Sequence, residues 1–527
     1  MKPQRFKQGS RDGLETETTV AKSGTLYHRL ATGGEKAAFT TGKEMWTYER
    51  LATEVERLAC GLVKLGLRKG DRVVMHMENL PELVIAYQAC FRVGVIAAPL
   101  NIRFKTAELT ALLQRLRPAL YIGQAALYSR VGSVDPSILA SDRRFIVDSS
   151  VKAPRVQPWT RLFAQTNGES VRVAPDVNAP AVLLTTSGTT GQPKFVVHTL
   201  ATLSKAAESF EHWDLDSNQI AALACPMVHG SGLFTMLACI RFGAPFVLCE
   251  RFDPDALLNA IERHRCTWLL GLPFMFVALL HHQRERARNV DSLRTCVAGG
   301  DVCPPQLQEQ FPSFFGVSLR SSWVSTEACG SLTYGLQPGP VSRIVNGAQV
   351  RLVDDKDMPV PRGEVGELVV RGPHVTIGYW AGPDWITDSP KEGWFHTGDL
   401  MRQDEKGDLW FVSRKKQLIN RGGSKISPAE VELVLMAHPA VRDAGVVGLP
   451  DSDFGQRVAG FVQLADSAQS VDLTEILAFA TERLADYKVP ETLEIVDKIP
   501  RNILGKIDRQ LLLSMISEGA SGTPVCF

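Results

Sequence analysis

The most restrictive feature of this 527-residue chain is a regular alternation of helix-like and strand-like segments. Leu51, Val55 and Leu58 are spaced four and three residues apart, which is the apolar stripe of an amphipathic helix. The segment DRVVMHM at 71–77 then predicts a strand, and residues 80–93 predict a second helix. Strands separated by helices of this length are typical of mostly parallel sheets with helices packed on their faces. The sequence therefore predicts an α/β fold.

A change of texture marks a boundary between two domains. At 527 residues the chain exceeds the size of one ordinary core. A basic, glycine-rich segment begins near residue 413, and after it Ser427 and Glu430 form a capping box that starts a helix, followed by two apolar strands. We predict a loosely ordered extension at 1–24, a large α/β domain at 25–412, a linker at 413–417 and a small α+β domain at 418–527.

The charge balance and the composition exclude several classes of partner. The formal net charge is +1, so nothing in the overall charge attracts nucleic acid or anionic lipid. No segment approaches the roughly 20 uninterrupted apolar residues that a membrane span needs, and the first residues lack the apolar core of a signal peptide. The 10 cysteines are scattered without CxxC pairs. We expect a reduced, cytoplasmic setting, no nucleic-acid partner and no membrane span, and a homodimer is left open.

The stretch from Thr185 to Phe195, TTSGTTGQPKF, gathers glycines, hydroxyls and one lysine behind a short apolar run. Backbone N–H groups of such a turn can converge on phosphate oxygens, while the hydroxyls and Lys194 add donors and positive charge. The spacing differs from the P-loop GxxxxGK[ST], because proline precedes the lysine and phenylalanine follows it. Taken alone, the loop is either a phosphate cradle or a flexible surface connection.

The same stretch resembles the signature of the adenylate-forming superfamily, which includes acyl-CoA synthetases, peptide-synthetase adenylation domains and luciferases. Six further segments match the motifs of that superfamily in the right order: 226–232, 321–327, 366–380, 394–400, 413–432 and 500–509. The resemblance implies a reaction in two halves. A carboxylate attacks the α-phosphorus of ATP to form an acyl-adenylate and pyrophosphate, and a thiol, usually that of coenzyme A, then displaces AMP to form a thioester.

The resemblance also implies an ATP site. The residues that would hold the β- and γ-phosphates are Thr186, Ser187, Gly188, Thr189, Thr190 and Lys194. Glu327, with Thr326 beside it, resembles the carboxylate that binds Mg²⁺, a hard ion that prefers carboxylate and phosphate oxygens. Asp399 would accept hydrogen bonds from both ribose hydroxyls, and Arg414 would contact the ribose from the linker. Gly300 and Asp301 complete the nucleotide side.

A lysine near the end of the chain carries the implied catalytic charge. Lys506 in LGKIDR resembles the lysine that reaches the α-phosphate and the attacking carboxylate, where a positive charge stabilises the transition state. His229 would lie in the acyl pocket near the carboxylate, although a lone histidine in an apolar stretch is as often a core residue. The implied acyl pocket consists of His229, Gly230, Ser231, Gly299, Trp323, Val324 and Ser325.

The linker is implied to be a hinge between two conformations. In the superfamily the small C-terminal domain is mobile, and it rotates between the half-reactions. Lys416 occupies the hinge position. Gly422 and Gly423 would let the pantetheine arm of coenzyme A pass close to the backbone, which a Cβ would obstruct, and Lys425 would follow them toward the active site.

Departures from the superfamily motifs inform the choice of acid. Val324 stands where a glycine leaves room for a long acyl chain, so the pocket is expected to be shorter without being closed. Asp301 agrees with a small substrate, because acetate- and benzoate-activating members have an acidic residue there. We expect a short or compact acid, with aromatic acids among the candidates. Phe195 replaces a glycine and Gln417 replaces a common aspartate, which leaves the fine geometry of the domain rotation open.

The predicted function is that of an ATP-dependent carboxylic acid–CoA ligase that uses ATP, Mg²⁺ and coenzyme A. A first alternative is an acyl-AMP ligase that loads a separate carrier-protein thiol. A second alternative, from another class, is a non-catalytic binding protein or a generic phosphate-binding NTPase. The joint presence of Lys194, Glu327, Asp399, Arg414 and Lys506 favours a catalyst over a non-catalytic protein.

Overall fold

The computed structural model describes residues 4–5, 28–147, 156–164, 171, 175–186, 193–328, 330–334, 341, 343–382, 385–465, 471–502 and 505–518. No helix within these ranges is long and apolar enough to cross a membrane. The strands of this part of the chain are β1 (Gln4–Arg5), β2 (Ala37–Thr40), β3 (Met45–Thr47), β4 (Arg72–His76), β5 (Ile96–Pro99), β6 (Leu120–Gly123), β7 (Arg144–Ile146), β8 (Gln157–Pro158), β9 (Pro180–Thr186), β10 (Lys194–Thr199), β11 (Ala221–Leu223), β12 (Phe246–Leu248), β13 (Trp268–Gly271), β14 (Thr295–Gly299), β15 (Leu319–Ser325), β16 (Gly330–Tyr334), β17 (Arg343–Ile344), β18 (Gln349–Val353), β19 (Val365–Arg371), β20 (Gly378–Gly382), β21 (Trp385–Thr387), β22 (Phe395–Gln403), β23 (Leu409–Arg414), β24 (Ile419–Arg421), β25 (Ser424–Ile426), β26 (Val441–Asp451), β27 (Gly455–Leu464) and β28 (Thr492–Ile495).

The α-helices of the same ranges are α1 (His28–Thr32), α2 (Tyr48–Lys64), α3 (Pro81–Val93), α4 (Thr106–Leu116), α5 (Ala125–Tyr128), α6 (Leu200–Ser209), α7 (Gly230–Phe242), α8 (Pro254–His264), α9 (Pro273–Glu285), α10 (Pro305–Phe315), α11 (Pro428–Met436), α12 (Leu473–Thr481) and α13 (Arg509–Glu518). Short 3-10 helices occur at Ser141–Arg143, Trp159–Leu162, Phe210–Trp213 and Asp486–Lys488.

Two large sheets form the bulk of the molecule. The first has the strand order β1-β21-β20-β10-β9-β5-β4-β6-β7-β8, and the second has the order β17-β16-β15-β14-β13-β11-β12-β2-β3. The first is parallel from β9 to β8 and the second from β15 to β2, and the remaining pairs, toward the ends of each sheet, are antiparallel. The predicted α/β class with mostly parallel sheets is therefore confirmed, with mixed edges.

The predicted helix after residue 46 shows why these segments fold as expected. Helix α2 buries Leu51, Val55 and Leu58 along one face, and the Thr47 hydroxyl caps its first turn by accepting the backbone N–H of Arg50 at 3.2 Å. The strand predicted at 71–77 is β4, and the helix predicted at 80–93 is α3. Apolar residues from both large sheets and their helices form one continuous core, so each sheet is held against the other by burial of apolar surface.

Two smaller sheets follow in the sequence. The antiparallel sheet β18-β19-β22-β23 ends at Arg414, and a sheet with the order β25-β24-β27-β26 follows, with β28 paired to β27. The second of these has its own apolar core, which includes Ile426, Val446 and Ile476. The turn between the two sheets closes where the backbone N–H of Gln417 donates to the carbonyl of Arg414 at 2.8 Å. This last sheet and the helices packed on it thus form a C-terminal unit with its own core.

Part of the predicted N-terminal extension takes part in the fold. Gln4 and Arg5 form the edge strand β1, which pairs antiparallel with Ile386 and Trp385 of β21. The expectation for residues 1–24 was a loosely ordered segment, and this pairing differs from it, because an open sheet edge offers unpaired backbone groups to any nearby extended chain.

Candidate active site

A cleft between the large sheets and the C-terminal unit collects side chains from every motif found in the sequence. The C-terminal unit contributes to one wall through Lys506, so the cleft is shared between the two parts of the chain. Its lining includes Thr186, Lys194, His229, Gly299, Val324, Glu327, Tyr379, Asp399, Arg414 and Lys506. Residues that are up to 320 positions apart in the sequence thus meet at one place.

The two ends of the glycine-rich loop lie side by side. Thr186 is the last residue of β9, Lys194 is the first residue of β10, and the two are direct partners in the antiparallel pair. The pairing of the two flanking strands therefore brings the ends of the loop together. Of the residues predicted to hold phosphates, Thr186 and Lys194 face the cleft, whereas Ser187, Gly188, Thr189 and Thr190 lie outside the described residues.

Hydrogen bonds from the neighbouring sheet to backbone carbonyls hold the turn that carries Thr326 and Glu327. The Nε2 of His198 donates to the carbonyl of Thr326 at 2.8 Å, and the backbone N–H of Thr376 donates to the carbonyl of Glu327 at 2.7 Å. The hydroxyl of Tyr379 donates to Oε1 of the Glu327 carboxylate at 3.0 Å. The carboxylate predicted to bind Mg²⁺ is thus oriented by groups of the other large sheet.

Asp399 is a buried carboxylate at the back of the cleft. Its Oδ2 accepts the indole N–H of Trp323 at 2.8 Å, and the Nε of Arg414 lies 2.8 Å from its Oδ1. The N–H of Arg414 is not aligned with Oδ1, and no group in the described part of the chain donates a hydrogen bond to that buried oxygen. An acceptor in this situation fits a hydroxyl of a bound ligand, because a buried oxygen without a donor is unfavourable.

Lys506 enters the cleft from the C-terminal unit, in the loop before α13. Burial and the nearby Arg414 lower the pKa of its ammonium, while Asp301, Asp399 and Glu327 act in the opposite direction. Three carboxylates of the large domain therefore act on one lysine of the small domain. The structure brings the predicted catalytic lysine to the predicted ribose and magnesium residues.

A close contact seats the loop that carries Lys506. Gly505 has φ +78°, and a Cβ built on it would lie 2.4 Å from the ring of Phe274. The ring of Phe274 packs edge-on against that of Phe252, with centroids 5.8 Å apart. Only a glycine satisfies both the backbone conformation and the space at this position. The contact between Gly505 and Phe274 therefore sets how far Lys506 reaches into the cleft.

His229, which was predicted to lie in the acyl pocket, precedes the first residue of α7 and lines the cleft. Its Nε2 lies 2.8 Å from the side-chain nitrogen of Asn101. Burial, with a smaller effect of Arg103, lowers the pKa of His229 to about 4, so the imidazole is neutral at physiological pH. Gly230 and Ser231 form the first turn of α7, which places the backbone N–H groups of a helix start at the cleft.

The residues predicted to limit the acyl pocket meet at the end of β14. A Cβ built on Gly299 would lie 3.3 Å from a methyl of Val324, and one on Gly300 would lie 3.7 Å from the same methyl. Ser325 follows on β15, where its hydroxyl accepts the backbone N–H of Ala328 at 3.0 Å. Trp323 was predicted to line the acyl pocket, and the structure directs its indole N–H toward the nucleotide side, at Asp399.

The predicted hinge and tunnel residues divide into two groups. Lys416 lines the cleft, whereas Gly422, Gly423 and Lys425 are absent from its lining among the described residues. Gly422 and Gly423 have φ of +54° and +87° and connect β24 to β25. Two positive φ values are those of the tight turn that hairpins favour, so local turn geometry by itself accounts for both glycines in this conformation.

Sequence reasoning missed several residues that position the site. Asn79 is buried and accepts the backbone N–H of Met227 at 2.8 Å, which fixes the segment before His229. Lys415 lies 2.8 Å from Asp355 and 3.1 Å from Glu367, beside the hinge. Tyr379 could have been found, because it falls within the matched segment 366–380. Lys415 could also have been found, because it falls within the matched segment 413–432, whereas Asn79 lies outside every matched segment and its partner Met227 is distant in the chain.

Comparison with known families agrees with this geometry. Residues 26–380 match the family described as AMP-binding enzyme, and residues 430–506 match the AMP-binding enzyme C-terminal domain. The chain belongs to the AMP-binding enzyme family. The predicted resemblance to adenylate-forming enzymes is thereby confirmed, and the second match lies within the C-terminal unit that carries Lys506.

The chain is similar to several acid–CoA ligases over most of its own length and of theirs. The enzyme is 33% identical over 470 residues to a feruloyl-CoA synthase of Amycolatopsis sp, covering 88% of this chain and 92% of that one. It is 30% identical over 485 residues to the medium-chain fatty-acid–CoA ligase of Escherichia coli K12, covering 89% and 85%. The structure of o-succinylbenzoate CoA synthetase from Bacillus subtilis with its acyl-adenylate superposes with a TM-score of 0.80 at 28% identity, covering 92% and 97%.

Proposed function

We propose that the enzyme joins a short or compact carboxylic acid to coenzyme A, using ATP and passing through an acyl-adenylate. The observation that carries this proposal is that Lys506 of the C-terminal unit lines the same cleft as Glu327 and Asp399 of the large domain. ATP-dependent acid–CoA ligation is the activity of the relatives. A non-catalytic binding protein has no need to gather this lysine and these carboxylates, which come from separate motifs, in one cleft.

In the first half-reaction a carboxylate oxygen of the acid bonds to the α-phosphorus of ATP, and pyrophosphate leaves. Lys506 and Lys194 supply positive charge, the first toward the α-phosphate and the second toward the leaving phosphates, where electrostatic stabilisation of the transition state is strongest. The Oδ1 of Asp399, which lies 2.8 Å from the Nε of Arg414, would accept a ribose hydroxyl, and Trp323 keeps that carboxylate in place.

The residues at the phosphate end fit Mg²⁺. Glu327 presents a carboxylate of which one oxygen, Oε1, is oriented by the hydroxyl of Tyr379, and such hard oxygen ligands together with phosphate oxygens suit this ion. Glu327 would hold the ion, which would supply charge neutralisation for the phosphates. The carboxylate itself is held by the backbone contact of Thr376 and by Tyr379.

In the second half-reaction the thiolate sulfur of coenzyme A bonds to the acyl carbon, and AMP leaves with the electron pair of the broken bond. The neutral imidazole of His229 borders the acyl side and adds no charge there. We propose that the C-terminal unit rotates about Lys416 for this step, which would bring Gly423 and Lys425 to the cleft in place of Lys506. A separate carrier-protein thiol is the alternative acceptor.

The shape of the pocket supports a compact acid. Val324 lies against Gly299 at the end of β14 and takes space that a glycine would leave open. Aromatic acids are candidates, since similar enzymes include feruloyl-CoA synthase, indoleacetate–CoA ligase and 2-succinylbenzoate–CoA ligase. The similar fatty-acid–CoA ligases represent the longer, linear alternative.

The test is acid-dependent exchange of pyrophosphate into ATP, with a panel of short-chain, dicarboxylic, aromatic and long-chain acids. We expect exchange with compact acids and formation of a CoA thioester when coenzyme A is added. Lys506→Ala serves as the control and should nearly abolish exchange. Release of orthophosphate without any acid would contradict the proposal and favour an NTPase, and exchange without a CoA product would favour a carrier protein as acceptor.

A further inference from the structure

One tyrosine contacts both of the charged side chains predicted to handle the phosphate end of ATP. The hydroxyl of Tyr379 donates to Oε1 of Glu327 at 3.0 Å. The ammonium of Lys194 lies 4.4 Å from the centroid of the same ring, over its face. A cation over an aromatic face is attracted to it, so Tyr379 binds the lysine and the glutamate by two different parts of one side chain.

The position of Tyr379 in the sheet explains the contact with Lys194. Tyr379 on β20 pairs directly with Val196 on β10, and Lys194 lies two residues before Val196 on the same strand. Residues opposite each other and residues two apart along a strand point to the same face, and a large aromatic ring reaches such a diagonal neighbour. The arrangement is therefore set by strand register rather than by a loop.

The contact with Glu327 is set from the same strand region. Just before β20, the backbone N–H of Thr376 donates to the carbonyl of Glu327 at 2.7 Å, and the hydroxyl of Thr376 donates to the carbonyl of Val197 at 2.7 Å. Burial, followed by the charge of Glu327, raises the pKa of Tyr379. The phenol is therefore a permanent hydrogen-bond donor at physiological pH.

We propose that Tyr379 is a positioning residue that keeps Lys194 and Glu327 apart and oriented, each toward its own part of the ATP–magnesium complex. This inference rests on the proposed function of the site. Without the ring and the hydroxyl, an ammonium and a carboxylate at one site would pair with each other, and each would lose charge available to the ligand. Lys194 also lies 3.5 Å from Asp388, in an ion pair that is exposed and therefore weak.

The test uses Tyr379→Phe, which removes the hydroxyl and keeps the ring under Lys194. Binding of α,β-methylene ATP, which cannot react at the α-phosphorus, is measured by calorimetry at a series of Mg²⁺ concentrations. We expect the Mg²⁺ concentration for half-maximal binding to rise about tenfold, because loss of a partner that orients a metal-binding carboxylate weakens metal affinity. The KM for the acid should stay unchanged.

Matched variants separate positioning from a general loss of stability. Tyr121→Phe removes another buried hydroxyl, one that lies 3.1 Å from Nδ1 of His76 away from the cleft, and it should leave the Mg²⁺ dependence unchanged. Tyr379→Leu also removes the ring, and it should further weaken binding of the nucleotide without Mg²⁺, through Lys194. In the Glu327→Gln background, Tyr379→Phe should no longer shift the Mg²⁺ dependence.

The outcomes distinguish this inference from the proposed function. If Tyr379→Phe and Tyr121→Phe show the same Mg²⁺ dependence, or if the shift persists in Glu327→Gln, Tyr379 is a packing residue and the inference is wrong. If the unmodified enzyme binds the Mg²⁺ complex of the ATP analogue but catalyses no acid-dependent exchange, the proposed function fails, while the comparison of the variants still decides the role of Tyr379.

Discussion

The side chain of Val324 lies against the glycines that end β14, with a methyl 3.3 Å from the point where Gly299 would carry a Cβ. Val324→Gly should therefore lengthen the pocket. We expect kcat/KM to rise about tenfold for acids with a few more methylene groups, since each methylene that gains a hydrophobic site changes binding by about 1–3 kcal/mol. The check is pyrophosphate exchange across a chain-length series, and an unchanged preference would contradict this account of the pocket.

The pH dependence of the first half-reaction should depend on Lys506. In the proposed mechanism the lysine acts while protonated. Burial lowers its pKa below the ordinary value, so the alkaline fall in kcat/KM should begin at a lower pH than an ordinary lysine would give. Asp301 raises that pKa, so Asp301→Asn should lower it and move the fall to still lower pH. The check is the pH profile of acid-dependent exchange.

Two outcomes would argue against this assignment. A fall that stays at the same pH in Asp301→Asn would mean that another group titrates. Lys506→Arg gives a complementary measurement, because a guanidinium stays protonated across the accessible range, so whatever activity this variant keeps should show no fall from this position.

At the scale of secondary-structure elements, two contacts of one arginine connect α4 to the end of the glycine-rich loop. Arg115, in the last turn of α4, donates from Nη1 to the carbonyl of Pro193 at 2.6 Å, and its guanidinium lies 4.9 Å from the ring centroid of Phe195. Phe195 is fully buried. The phenylalanine that departs from the usual glycine thus becomes an anchor for the strand that begins with Lys194.

Arg115→Ala should loosen the end of that loop. We expect the KM for ATP to rise several-fold with little change in the KM for the acid, because a small displacement of a phosphate-binding group weakens its ligand. The free energy of unfolding should fall by about 1–2 kcal/mol through loss of a charged hydrogen bond and a cation–π contact. Arg263→Ala, at an exposed arginine in the last turn of α8, is the matched control. Equal effects of the two variants on ATP would contradict the prediction.

The sequence pattern predicted where helices and strands lie better than it predicted what individual residues in them do. The stripe of Leu51, Val55 and Leu58 predicted α2, because a helix with one apolar face is stable when that face packs against the core. The pair Gly422–Gly423 was expected to serve a thiol tunnel. In the structure it forms the turn between β24 and β25, a local role that the sequence alone could not separate from a functional one, and its part in the second half-reaction stays a prediction.

At the scale of the whole molecule, the seat of Gly505 on Phe274 couples the position of the C-terminal unit to the chemistry. Gly505→Ala places a Cβ 2.4 Å from the ring, so the loop of Lys506 should not enter fully. We expect acyl-adenylate formation to fall by at least about tenfold, while thioester formation from supplied adenylate is largely kept. The check is to measure the two half-reactions separately.

A control separates the clash from backbone strain. Gly363 has φ +86° and open space around its Cβ position, so Gly363→Ala carries the strain of a positive φ without a clash and should leave both half-reactions intact. Adding Phe274→Ala to Gly505→Ala should restore part of the adenylation rate. Equal loss of both half-reactions in Gly505→Ala would argue against the prediction that the contact between Gly505 and Phe274 is needed only for acyl-adenylate formation.

The sequence by itself determined the α/β class, the reaction class and the separate C-terminal unit, because periodicity, capping signals and ordered motifs are local properties of the chain. The relatives and the superposed structures confirm these three predictions. Only the tertiary structure decided that Trp323 and Arg414 share the carboxylate of Asp399, that Tyr379 lies between Lys194 and Glu327, and that Gly505 seats on Phe274. Those contacts join residues far apart in the chain, and their geometry depends on strand register and domain packing, which no short stretch of sequence encodes.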